Sequence, residues 1–138
     1  MRVDLYTDGG VRTGGVKGPT GGKTGPGAAG FAIYENGILL RQGGVPLDEV
    51  TVNEAEYSSV ILGLHNAKLL GATEVAIHSD SQLIVNQISG QYKCKKAHLV
   101  EYLDEVHHEM RNFEKVTVQW VPREENIVAD EMTREILG

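Results

Sequence analysis

The chain has one cysteine, Cys94, in 138 residues, so no internal disulfide can form and a reducing compartment suits it. Long apolar runs are missing as well. Nothing approaches a membrane span, and no apolar stretch with a cleavage site opens the chain, so no membrane partner is expected and the protein reads as cytoplasmic. Basic residues are scarce: 13 Lys and Arg stand against 19 Asp and Glu, a net charge of −6. That deficit argues against a general polyanion binder, because phosphate contacts are made by Lys and Arg. Apolar residues are not scarce. At 41% they suffice for one domain with a real core and exclude a chain that is disordered throughout. A monomer is the default expectation.

The first stretch of interest is Tyr6-Thr7-Asp8-Gly9-Gly10. Val3, Leu5 and Thr7 alternate with Asp4 and Tyr6, a period-two pattern that predicts a strand ending on Asp8. A carboxylate there either begins a turn or points into open space as part of a site. Residues 9–28 are rich in glycine and polar residues, and are expected to form one flexible loop within a single domain spanning 1–138. Within it, Gly22-Lys23-Thr24 imitates the end of a phosphate-cradling loop. The first glycine of that motif would fall at position 17, which is lysine, and Pro26-Gly27 forbids the helix that must follow.

Strands are predicted over 29–34 and 38–42, joined by Glu35-Asn36-Gly37, a hairpin turn sequence. Thr51 then opens a helix with Glu54 at capping-box spacing, and the helix runs to about Gly71. Glu56 falls on its apolar face beside Val60, Gly63 and Ala67, where an unpaired carboxylate is costly unless it meets a cation. A fourth strand, 74–79, runs into Asp80-Ser81-Gln82 and a short helix over 83–88. Asp80 there is either the helix cap or a site residue. Tyr92 to Lys96 is the basic cluster, ordinarily a solvated loop and a phosphate contact if the partner is nucleic acid. A helix over 97–113 carries His98, His107 and His108, which read as surface residues, since adjacent positions lie on different helix faces. A fifth strand, 115–121, leads through Pro122-Arg123-Glu124-Glu125-Asn126 into a last helix over 127–137. Asp130 lies in its first turn, where the helix dipole alone would favour it.

The order β-β-β-α-β-α-α-β-α predicts an α/β fold: a five-stranded mixed sheet, antiparallel meander plus parallel strands, flanked by helices. Parallel first and fourth strands would bring Asp8 and Asp80 to one sheet edge, at the carboxyl ends of strands. Glu56 and Asp130 approach from helices. Four such acids repel one another without cations, and oxygen-only ligands suit Mg²⁺ or Mn²⁺. Two such ions about 4 Å apart can activate a water and stabilise a leaving phosphodiester oxygen.

The four motifs Tyr6 to Gly10, Thr51 to Glu56, His78 to Gln82, and Val121 to Asn126 with Ala129-Asp130 resemble type 1 ribonuclease H, in that family's order and over nearly the whole chain. The resemblance implies the ribonuclease H-like fold and endonucleolytic cleavage of the RNA strand in RNA–DNA hybrids, leaving 5′-phosphate and 3′-hydroxyl ends. It implies that Asp8, Glu56, Asp80 and Asp130 are catalytic and bind two Mg²⁺ ions, with Mn²⁺ a substitute. Gly9, Gly10, Thr51, Asn53, Ser81, Gln82, Lys93, Lys95 and Lys96 resemble nucleic-acid contacts, Thr51 gripping a DNA phosphate. Four features depart from the family pattern: the long glycine-rich stretch, Val52 in place of a polar residue, a last loop without its histidine, and no long basic protrusion. Arg123, Glu124 or Glu125 would take over the product-release role of that histidine, as in the branch with a Pro-Arg-Glu-Glu-Asn loop. Two other readings compete: a non-catalytic binding domain on this fold, and another nuclease of the same superfold.

Overall fold

A computed structural model describes residues 1–12, 16–17 and 23–138. The chain runs β1 (Arg2–Val11), β2 (Val16–Lys17), β3 (Lys23–Glu35), β4 (Ile38–Val50), α1 (Val52–Leu69), β5 (Glu74–Ser79), α2 (Gln82–Ile88), α3 (Ala97–Met110), β6 (Lys115–Trp120), a 3₁₀ turn (Arg123–Glu125) and α4 (Ile127–Leu137). Five long strands are ordered β4–β3–β1–β5–β6, and the two-residue β2 pairs with the start of β3. β1, β3 and β4 are antiparallel neighbours, whereas β1–β5 and β5–β6 are parallel. This is the mixed sheet expected from the element order.

The strand pleat sends alternate residues to opposite faces. Val3 and Leu5 enter the core formed with Tyr57, Val60 and Leu64 of α1, Ile84 of α2, and Leu99 and Val106 of α3. Gly63 is the close contact in that layer: a Cβ there would stand 2.6 Å from Leu5 Cδ1. The other face receives α4, which lies against β3, β4 and the end of β1. Gly30 permits that approach, since a Cβ would fall 2.6 Å from the Ala129 carbonyl oxygen.

The described residues of the glycine-rich stretch, Arg12 apart, are strand, where one loop is expected over 9–28. β1 continues to Val11 and β3 starts at Lys23. Glycine here serves close packing instead of turning: a Cβ on Gly27 would meet Val50 Cγ2 at 2.5 Å. Flexibility was also expected of 13–15 and 18–22, which lie outside the described residues. In the phosphate-loop imitation, Gly22 is outside them too, while Lys23 and Thr24 belong to a strand where that motif needs a helix. β4 is also longer than expected. It tolerates Pro46 because it is an edge strand, and the β3–β4 register shifts at Pro26/Gly27 and Ile33/Tyr34.

Among the described residues no helix is long and apolar enough to cross a membrane.

Candidate active site

Asp8 lies in β1 one residue beyond the Thr7–Ser79 pair that ends the parallel ladder, and Asp80 follows Ser79 directly. Parallel pairing therefore delivers both acids to the same carboxyl end of the sheet. Glu56 comes from the second turn of α1. Gly9 lets that helix reach the strand: a Cβ on it would sit 2.3 Å from the Ala55 carbonyl carbon. The Gly9 N–H donates to Glu56 Oε1 at 2.6 Å. One carboxylate oxygen from each of Asp8, Glu56 and Asp80 lies within 4.8 Å of the others.

Two of the alternatives left open above now close. Asp80 does not cap α2. Ser81 does, its hydroxyl accepting from the Ile84 N–H at 3.3 Å, so the Asp80 carboxylate is free for the cluster. Nor does Asp8 begin a turn, because β1 runs on past it.

Asn126 was legible only as a loop residue, and the structure makes it part of the site. It is 1% exposed; its Nδ2 donates to the Thr7 carbonyl at 2.8 Å and to Asp80 Oδ2 at 3.2 Å. It stands at the N-cap of α4 without a side-chain cap bond, since that side chain is used across the sheet end. Cap preference marks such an Asn in sequence, but not its partner. Trp120 Nε1 donates to the Asp80 carbonyl at 3.1 Å, and the Thr133 hydroxyl lies 3.3 Å from the Asp8 carbonyl oxygen. Neither had a sequence signal.

Asp130 faces the same end and adds negative charge to Asp8, but its carboxylate pairs with Arg134 Nε at 2.9 Å, one helical turn on. It is not in the group of three. Arg123 is the cation whose charge reaches both Asp8 and Glu56.

Burial, then the charge of Asp80, pushes the Asp8 carboxyl up to about 7. Glu56 is raised well above the ordinary carboxylate range, first by burial and then by Asp8; the Gly9 N–H works against the rise. A cluster of this kind retains protons near neutrality unless a cation replaces them. The donor set fits a hard divalent ion. All its ligands are oxygens, and Glu56 Oε2 is buried without a hydrogen-bond partner among the described residues.

The remaining sequence-chosen residues divide. Thr51, Asn53 and Lys96 line one cavity of about 220 Å³ with Lys23, Val52 and His98. Thr51 and Glu54 form the full capping box, and Glu54 Oε2 also meets His98 Nδ1 at 3.3 Å. His98 is thus half-buried and tied down, unlike the exposed His108. Lys93 and Lys95 are exposed and lie outside that lining, as is Gln82. Gly10, like Gly9, has a packing role: a Cβ there would meet Thr133 Cγ2 at 3.2 Å. Glu124 and Glu125 are exposed beside Arg123 on the 3₁₀ turn.

A mixed five-stranded sheet with acids at the carboxyl ends of two parallel strands, completed by a helical glutamate, is the framework of a ribonuclease H-like protein. The family model described as reverse transcriptase-like matches residues 15–136. The chain is 32% identical, over 99% of its length, to 36% of the bifunctional protein Rv2228c of Mycobacterium tuberculosis. It resembles the crystal structure of RNase H1 from Halobacterium salinarum with a TM-score of 0.90 and 28% identity, covering 99% of this chain and 98% of that one. It matches LC11-RNase H1, solved in complex with an RNA/DNA hybrid, with a TM-score of 0.85 and 32% identity over 96% and 94% of the two chains. The chain belongs to the type 1 ribonuclease H family. It spans about a third of the length of the curated relatives matched first.

Proposed function

We propose that this protein is a divalent-cation-dependent endoribonuclease that cuts the RNA strand of RNA–DNA hybrids and leaves 5′-phosphate and 3′-hydroxyl ends. The observation that carries the reading is the meeting of Asp8, Glu56 and Asp80 oxygens within 4.8 Å at the sheet end. A binding domain gains nothing from concentrated negative charge where a phosphate must sit, so the cluster disfavours the non-catalytic alternative. The RNA/DNA hybrid held by LC11-RNase H1 supports the substrate.

Asp8, Glu56 and Asp80 would hold the cations, with Asp130 joining once it leaves Arg134. Mg²⁺ is the natural choice and Mn²⁺ a substitute, both being hard ions content with carboxylates. When bound, such ions supply charge neutralisation and a water of lowered pKa. The chain's own residues do the rest. Glu56, on the α1 side of the cluster, contacts the 2′-hydroxyl that distinguishes RNA from DNA. Asp80, held by Asn126, orients the attacking water. Thr51, Asn53 and Lys96 receive a phosphate of the DNA strand in their cavity, and Ser81 and Gln82 lie at the groove edge. Arg123, within electrostatic reach of the acids, takes the product-release role expected of a loop histidine, with Glu124 and Glu125 beside it. The lone cysteine fits a reducing, cytoplasmic setting.

The test offers end-labelled hybrid, duplex RNA and duplex DNA with Mg²⁺, with Mn²⁺ and with EDTA. Cation-dependent cutting of the RNA strand of the hybrid is expected. Cutting of duplex DNA in preference to hybrid would transfer the protein to another nuclease class, and no cutting by folded protein would favour a binding domain.

A further inference from the structure

Among the described residues α4 packs on β3, β4 and the end of β1. Beside the start of α4 lies a cleft of about 560 Å³ whose aromatic residues, Tyr6 and Tyr34, have no part in the proposed nuclease chemistry. Tyr6 and Tyr34 form its aromatic wall, edge to face with centroids 5.5 Å apart. Tyr6 is fixed from behind by His78, stacked at 4.4 Å. His78 is held in turn by Asp4 Oδ1 at 3.0 Å and Gln119 Nε2 at 3.0 Å. Asp4, Glu124 and Glu125 complete the rim; Arg2 approaches Asp4 Oδ1 at 3.7 Å from outside it, and no Lys or Arg is among the described lining residues. Asn126 joins the lining; it is 1% exposed, and its Oδ1 is an acceptor without a partner among the described residues.

Three carboxylates repel phosphate, so this is not a second nucleic-acid groove. Electron-rich rings held rigidly beside carboxylates suit a planar cation, which stacks on the ring and donates to the acids. Ile127, 57% exposed at the edge, adds the apolar rim of a protein contact. We propose that the Tyr6–Tyr34 cleft receives an arginine side chain presented by a partner polypeptide. Asn126 also bonds Asp80, so an occupant would be sensed at the catalytic acids.

The test is a backbone-amide NMR titration of the intact protein with the peptide acetyl-Gly-Arg-Gly-amide, beside its Leu and Glu counterparts. The Arg peptide should give saturable shifts at Tyr6, Tyr34, Gly37 and Val128, with a dissociation constant on the order of 1 mM. The Leu and Glu peptides should give none. Tyr34→Ala combined with Asp4→Asn should weaken binding at least tenfold; if that pair does not fold, Tyr34→Leu alone should weaken it severalfold. Four results would each overturn the proposal: no saturable shifts; equal binding of the Leu peptide; shifts centred on Gly9, Glu56 and Ser81, meaning attraction to the catalytic acids; or unchanged binding in the folded variants.

Discussion

Asn126 and Asp80 are 46 residues apart in sequence and joined by one hydrogen bond, Nδ2 to Oδ2 at 3.2 Å. With its second bond, to the Thr7 carbonyl, this side chain ties the start of α4 to the ends of β1 and β5. Asp80, one acid of the proposed cation site, is positioned by a residue that need touch neither cation nor substrate. Asn126→Ala is expected to leave the buried Thr7 carbonyl without its donor, at a cost of about 1–3 kcal/mol. It should also lower kcat by more than its effect on KM for the hybrid, as Asp80 loses its orientation. Chemical denaturation and steady-state kinetics check the two parts.

Gly9→Ala tests the contact that brings Glu56 to the strand. Its Cβ would collide with backbone at Ala55 and Glu56, which cannot rotate away as a side chain could. We expect destabilisation of about 1–3 kcal/mol, typical of overpacking, together with a large loss of activity as Glu56 moves. Thermal unfolding and hybrid cleavage measure these. Wild-type behaviour would mean that β1 and α1 are not held as closely as described.

The pH dependence of the cation-free protein follows from Asp8. Its folded pKa, about 7, lies above the ordinary 3.8. The folded state therefore holds this proton more tightly than the unfolded chain, and the contribution is present in full below about pH 4 and lost as pH rises through 7. Cation-free protein should lose stability across that window by up to about 4 kcal/mol from this group alone. Mg²⁺ should restore stability at high pH, and Asp8→Asn should flatten the profile. Melting curves at several pH values, with EDTA and with Mg²⁺, decide it. A cation-free protein whose stability rises from pH 4 to 8 would contradict this assignment.

Arg134 is largely exposed and holds Asp130 outside the group of three. Arg134→Ala should therefore change stability by less than about 0.5 kcal/mol, the worth of an exposed i, i+4 pair. It should also lower, by roughly the same energy, the Mg²⁺ concentration needed for half-maximal activity. A metal titration of activity beside a denaturant melt separates the two effects.

The sequence carried much of the fold because its patterns are local. The Thr51–Glu54 capping box, the Asn36-Gly37 hairpin and the alternation in β1 and β5 all appear where they were expected. It misjudged the glycines of β1 and β3, because in composition a glycine that admits a neighbouring side chain looks the same as one that turns the chain. For Asp80 it offered two roles, helix cap and site residue, and the cap was the commoner one for such a position. Only the geometry shows Ser81 taking the cap and leaving the acid free. Asp130 was read as one of four acids; its i, i+4 spacing from Arg134 is legible in the sequence, but not that its carboxylate takes up this pair and stands outside the group of three. Asn126, Trp120 and Thr133 act through bonds to residues 40 or more positions away, so nothing near them in sequence could mark their roles.

The most direct test of the central claim is Asp80→Asn, compared with wild type for cleavage of an end-labelled RNA–DNA hybrid in Mg²⁺. Removing one of the crowded charges is expected to leave the cation-free protein folded, with a melting temperature equal to or above wild type, and to abolish cutting of the RNA strand. A folded Asp80→Asn protein that cuts at the wild-type rate would contradict the assignment of this carboxylate cluster as the catalytic centre.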